Sequence, residues 1–190
     1  TGDGNTAVGY QALDANTTAS NNTAMGYNAG TAVTTGTNNV LIGSLAGDAL
    51  TDADLNVAVG KGALTADTLG SNSVAIGFAA LEAQNFTTAT NSYNTAVGSA
   101  AGAAVTTGIQ NTLIGGLAGD ALTDSDYNTA VGYQALSTDT LGGRNTAIGY
   151  QTLANQNFTS ATNAYNTAVG YSAGVAVTTG VENTLIGALA

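Results

Sequence analysis

Apolar and polar positions alternate in this chain over short stretches, and each stretch ends on glycine. The unit is Asn, a small or branched residue, a small apolar residue, a branched apolar residue, then Gly. It occurs eleven times, from Asn5-Thr6-Ala7-Val8-Gly9 to Asn183-Thr184-Leu185-Ile186-Gly187. Val, Ile and Thr dominate it, and period-two alternation of such residues predicts a strand. Gly and Asn/Thr/Asp clusters interrupt the chain too often for helix pairs. The phrase glycines keep one spacing from Gly9 through Gly26, Gly43 and Gly60 onward, and only the steps that end at Gly98 and Gly170 are longer. Self-similarity at a fixed short period predicts a solenoid rather than a domain with one central core. Each period is expected to be one coil with two short strands and two turns, and neighbouring coils are expected to pair in parallel. At 4.7–4.9 Å between strands, the stack would be a rod roughly 50 Å long.

A longer order overlies the coils. Residues 22–93 align without gaps to residues 94–165, and the pattern restarts at Asn166, so 166–190 is a partial third copy. Each long unit holds three coils of the common length and one extended coil. The whole chain, 1–190, reads as one repetitive domain. The extended coils carry Gln84-Asn85-Phe86-Thr87 and Gln156-Asn157-Phe158-Thr159.

The fourth position of the phrase is always Val, Ile or Met, as in Val8, Met25 and Ile42, and is expected to face the core of the coil. The third is Ala or Leu, as in Ala7, Leu41, Ala75, Leu113 and Leu185, and should point the other way. A strand apolar on both faces must be covered on both, and one coil interior covers only one. The economical cover for the other is a second copy of the chain. The Asn that opens each phrase is expected to stack on its counterpart in the next coil, since Asn ladders satisfy their amides along the stacking axis. Ser73 breaks that ladder. The phrase Gly supplies either a positive φ or a place with no room for a side chain.

Composition narrows the function classes. Charged residues are 7% of the chain, with 2 Lys+Arg against 12 Asp+Glu and a net charge of -10. That balance argues against nucleic acid and against anionic membrane, both of which need cations to neutralise phosphate. No apolar run is long enough to insert in a membrane. Hydrophobic residues are 44%, but many are Ala and there is no Trp, so the core should be thin. There is no Cys and no His, and Lys61 and Arg144 are isolated. No nucleophile–base pair can be assembled from such a set, so an enzyme is not expected.

Asn72-Ser73-Val74-Ala75-Ile76-Gly77 resembles the YadA-like head repeat of trimeric autotransporter adhesins, and the other phrases are close variants of it. Asn5–Leu13 and Asn128–Leu136 are similar to the NTAVGYQAL-type repeats of phage tail fibres. The resemblance implies a left-handed parallel β-roll, three chains around one axis, and a role in attachment at a cell surface or virion. The coils of this chain are longer than those of that family.

Three features carry candidate chemistry. Asp52-Ala53-Asp54-Leu55-Asn56 recurs as Asp124-Ser125-Asp126-Tyr127-Asn128. Oxygen ligands on alternate residues are what Ca²⁺ loops use, so Asp52, Asp54, Asn56, Asp124, Asp126 and Asn128 are candidate Ca²⁺ ligands. The other reading is turn chemistry, in which Asp and Asn bond their own backbone. Tyr10, Tyr27, Phe78, Tyr133, Tyr150 and Tyr171 each follow a phrase glycine, and would stack either to grip sugars or simply to pack a coil corner. Phe86 and Phe158 would make contacts between chains or fold back on their own coil.

The expected function is that of a structural extracellular fibre or adhesin segment. It would self-associate, as a homotrimer or a head-to-tail filament, into a stiff rod that supports attachment to a host receptor or glycan. The alternative is an ice-binding or glycan-binding solenoid surface. Thr6, Thr23, Thr95, Thr112 and Thr129 recur at one phrase position but, sharing the parity of Val8, are expected to be buried.

Overall fold

Each phrase contributes only a minimal strand, and the stack supplies everything else. The computed structural model describes residues 2–190. Its eleven phrase strands run Thr6–Val8, Thr23–Met25, Val40–Ile42, Val57–Val59, Val74–Ile76, Thr95–Val97, Thr112–Ile114, Thr129–Val131, Thr146–Ile148, Thr167–Val169 and Thr184–Ile186. They form one sheet in sequence order, every neighbour parallel and in register: Thr6 pairs with Thr23, Val40 with Val57, Thr146 with Thr167. The described residues contain no helix, and the chain is an all-β parallel solenoid of eleven coils. Coils are numbered here by phrase, coil 1 at Asn5 to coil 11 at Asn183.

The expected second strand is mostly absent. It survives only as two short pairs, Gly70–Ser71 with Thr90–Asn91 and Gly142–Gly143 with Thr162–Asn163, both where an extended coil meets its predecessor. Elsewhere the return path is turn after turn. Non-glycine residues with positive φ mark it, among them Leu13, Leu64, Leu81, Leu136 and Leu153. A left-handed residue costs about 1–2 kcal/mol, and fully burying a leucine offsets that with roughly 1.5–3 kcal/mol. Leu64, Leu81, Leu136 and Leu153 are wholly buried.

The facing of the phrase is the reverse of that expected from sequence. The third position lies inside: Ala24, Leu41, Ala58, Ala75, Ala96, Leu113, Ala130, Ala147 and Ala168 are 0% exposed. The fourth position faces out, with Val8, Met25, Ile76, Ile114, Ile148 and Ile186 exposed. The second position shares that outer face, so the Thr row expected to be buried is at the surface. The cause is the narrow interior. Leucines arriving from the turns fill it, leaving room opposite them only for Ala. Where the phrase brings its own leucine inward, as Leu41 and Leu113, the turn carries Gly47 or Gly119, and a Cβ there would lie 2.7 Å from a leucine methyl.

This reciprocity gives the long unit its physical meaning. Coils 2 to 5 bury Ala24/Gly30/Val33, Leu41/Gly47/Leu50, Ala58/Leu64/Asp67 and Ala75/Leu81/Gln84, and coils 6 to 9 repeat the series. The last two layers of each series bury a polar pair. Asp67 accepts from Gly70 N–H and Phe86 N–H, each at 3.0 Å, and from Gln84 Nε2 at 2.6 Å. Asp139 makes the same three bonds with Gly142, Phe158 and Gln156. The insertion in each extended coil thus brings in an N–H that the buried carboxylate holds. Phe86 and Phe158 are 6% and 7% exposed, so each ring lies over its own solenoid.

The Asn ladder forms as expected and also crosses the coil. Asn22 Oδ1 accepts from Asn39 N–H at 2.9 Å and Asn39 Nδ2 at 3.0 Å, while Asn22 Nδ2 donates to the Gly36 carbonyl at 2.8 Å. At the break, Ser73 bonds Ser92 Oγ at 2.6 Å and Gln84 Nε2 at 2.8 Å. Asn145 and Ala164 stand at the matching places in the next unit, so one larger and one smaller side chain replace two serines. The phrase glycines meet both demands foreseen for them. Gly98 has φ 142°, and a Cβ on it would lie 2.4 Å from the Gly115 carbonyl oxygen.

Candidate functional surfaces

The long sheet, with eleven strands against two in each of the others, has one face turned outward. Along it run a Thr/Val row and a Val/Ile/Met row in step with the strand pairing, and it carries no charged side chain. At six of the eleven coils the position after the phrase glycine borders it with an aromatic ring. Tyr10 and Tyr27 stack at 5.4 Å, Tyr133 and Tyr150 at 5.8 Å, and Tyr150 and Tyr171 at 5.1 Å, with planes within 19° of parallel. These are the ladders expected from spacing, and all five rings are 41–64% exposed. Lys61 Nζ lies 6.0 Å from the Phe78 ring in the stretch between them.

The Asp-x-Asp-x-Asn residues divide between two environments. Asn56 and Asn128 are buried inside the solenoid as rungs of the ladder, with their Oδ1 atoms taken by Ser73 N–H and Asn145 N–H and their Nδ2 atoms by the Gly70 and Gly142 carbonyls. The four carboxylates are outside. Asp52 and Asp124 accept the hydroxyls of Thr35 and Thr107 at 2.5 Å. Asp54 accepts Thr37 N–H and Oγ1, and Asp126 accepts Ile109 N–H at 2.8 Å. These are cross-coil turn bonds. Among the described residues no group of three or more Asp, Glu, His or Cys is gathered around a common point for a metal ion.

Asp48 and Asp120, just ahead of these sets in the chain, differ from one another. The Thr65 hydroxyl donates to Asp48. Asp120 Oδ1 is buried without a partner, and burial raises its pKa above the usual carboxylate value against a smaller opposing backbone hydrogen bond.

Sequence reasoning left Arg144 isolated, and the fold gives it company. Its guanidinium lies 4.5 Å from the Tyr127 ring and 5.9 Å from the Tyr165 ring, and its Nε donates to Asn163 Oδ1 at 3.1 Å. Tyr127, Arg144 and Tyr165 each precede a phrase Asn, so the repeat spacing alone stacks them. All three have positive φ, which turns their side chains outward ahead of the buried Asn. No helix of the described residues is long and apolar enough to cross a membrane. Comparison with protein-family models, curated proteins and solved structures gave no match.

Proposed function

We propose that this chain is a shaft segment of an extracellular fibre, which associates with copies of itself through the outer sheet face and holds an attachment apparatus away from a cell or virion surface. The supporting observation is the uncharged outward face, with its exposed Val, Ile and Met row and flanking Tyr stacks. Taken from the Thr row to the aromatic row, that face is roughly 50 Å by 16 Å, or about 800 Å². One partner contributes about that much to a standard protein–protein interface. A homotrimer, as the adhesin and tail-fibre resemblance implies, would seal three such faces around one axis. The role is mechanical rather than enzymatic.

Light scattering on the eluting protein tests this. The expected mass is three times 18.5 kDa, or an open-ended series for a filament. Replacing Ile76, Ile114 and Ile148 by Glu should leave the circular dichroism unchanged and yield monomer. A wild-type chain that is monomeric at all concentrations refutes the proposal.

The outward Thr row favours a second reading, an ice-binding face. Thr6 and Thr23, and then Thr95, Thr112, Thr129, Thr146, Thr167 and Thr184, lie on the outer face in two runs at strand spacing, separated by Val40, Val57 and Val74. Thermal hysteresis that persists in the monomer and is lost on Thr112→Asp or Thr129→Asp would support that reading in place of the first.

A further inference from the structure

We infer that the surface hollow between Tyr127, Arg144 and Asn163 is a binding site for one ring of a neutral saccharide. The hollow has a volume of about 200 Å³ and is lined by Asp124, Asp126, Tyr127, Gly143, Arg144 and Asn163 among others. Drug-sized ligand pockets run from roughly 300 to 1,000 Å³, so this one takes a single pyranose, free or as one unit of a chain.

Charge selects the ligand class. Arg144 is one of only 2 cationic residues in the protein; it lines the hollow together with Asp124 and Asp126 and gives its Nε–H to Asn163. A small anion would meet Asp124 and Asp126, and a small cation would meet the guanidinium. A neutral polyol satisfies both, because each hydroxyl accepts from Arg and donates to Asp. The carboxylates are half committed, Asp124 Oδ1 to the Thr107 hydroxyl and Asp126 Oδ1 to Ile109 N–H, so one oxygen of each is left to accept. Tyr127, which lines the hollow, adds apolar ring surface, and an apolar body with a polar tip suits a pyranose.

The second observation is internal to the chain. At the matching place in the first long unit, Ser71 Oγ accepts the Asp54 N–H at 2.9 Å, and Asn72 bonds Asn91 at 3.0 Å. The second unit has Gly143 for Ser71 and Arg144 for Asn72, with Tyr127 for Leu55 and Ser125 for Ala53. Gly143 brings no hydroxyl to the Asp126 N–H and no side chain into the hollow. Ser125 also replaces Ala53, but its hydroxyl is buried at a position where Ala53 joins the core, so it is not a group for the ligand. Gly143, Arg144 and Tyr127 are thus three substitutions around one hollow, while Asp124, Asp126, Thr162 and Asn163 keep the residues of the first unit. The first unit is closed by its own side chains, and the second leaves the equivalent groups for a ligand.

The inference is independent of self-association, so the test is one that works for monomer and assembly alike. Saturation-transfer difference NMR is run with a panel of methyl pyranosides of glucose, galactose, mannose and N-acetylglucosamine, with a methyl uronate as the anionic comparison. At least one neutral pyranoside should receive saturation with a Kd near the millimolar range, about -4 kcal/mol, and the uronate should receive less. Gly143→Ser restores the serine of the first unit and should weaken binding at least tenfold without altering the melting temperature by more than a few degrees. Arg144→Ala should do the same, and Asn72→Ala should change nothing. No saturation of any pyranoside at about ten times that Kd, or binding that survives both Gly143→Ser and Arg144→Ala, overturns the inference.

Discussion

The buried Asp139–Gln156 pair gives the sharpest test of what holds the long unit together. Its hydrogen bonds have a fixed direction. Asp139 accepts from Gln156 Nε2 at 2.6 Å, Gln156 Oε1 accepts from Asn166 Nδ2 at 2.7 Å, and Asn166 Oδ1 accepts from Asn183 N–H at 2.8 Å. Asp139→Asn keeps the size of the side chain and the acceptor for Gly142 and Phe158. It puts an NH₂ opposite the NH₂ of Gln156, however. Flipping Gln156 only moves the conflict to Asn166, whose NH₂ then faces another. One buried donor goes unpaired wherever the chain adjusts, at about 1–3 kcal/mol. Gln156→Glu alone brings two carboxylates together and should cost at least as much. The double variant Asp139→Asn/Gln156→Glu gives both amides an acceptor again. It should recover most of the loss, with a coupling free energy of about 2 kcal/mol or more. Urea midpoints at constant m-value measure all four proteins. An Asp139→Asn chain as stable as wild type, or a double variant no better than the worse single one, would refute the directional network. Asp67 and Gln84 form the same pair in the first unit and should give the same cycle.

Two further outcomes follow from the stack. Gly98→Ala sets a methyl against the Gly115 carbonyl at a φ that only Gly holds without strain, and should destabilise by roughly 3 kcal/mol or more, lowering the urea midpoint, whereas Ala at Gly62, where a Cβ would meet nothing within 4 Å, should cost only its backbone strain. Burial raises the Asp120 pKa, so the folded chain holds that proton more tightly than the unfolded one; its contribution to stability is full below the usual carboxylate range and is lost as pH rises through the folded-state value. Asp120→Asn should therefore raise the melting temperature at neutral pH, with the gain shrinking toward about pH 3, and a gain that is constant with pH would exclude Asp120 as its source.

The stack was legible because it rests on spacing, and spacing survives any choice of conformation. Phrases set at the repeat distance put Asn over Asn, Gly over Gly and Tyr over Tyr whether or not the coil between them is understood. The inward face was not legible from the phrase, because alternation fixes which positions share a face and leaves open which face is covered. Assigning the bulkier Val8 or Ile42 to the interior assumes that the strand alone fills the core. Here the turns fill it, through leucines in a conformation that leucine rarely adopts, as at Leu64 and Leu136. The signal lay in a pairing between distant positions: Leu41 and Leu113 occur with Gly47 and Gly119, whereas Ala58 and Ala130 occur with Leu64 and Leu136, and where Ala24 and Ala96 occur with Gly30 and Gly102 the leucines of the adjoining coils take up the space. Such exchange of volume is expected only of side chains that share one interior, so it marks the third position as buried and leaves the fourth to the outside. Arg144 escaped notice for a related reason. A lone cation carries no pattern of its own, and it acquires neighbours only when the residue before each phrase Asn is read as a row, which brings Tyr127 and Tyr165 to either side of it. In a solenoid the informative unit is thus the column of residues along the axis, and comparing the columns of the two long units separates what the fold requires of a position from what one unit has been left free to do with it.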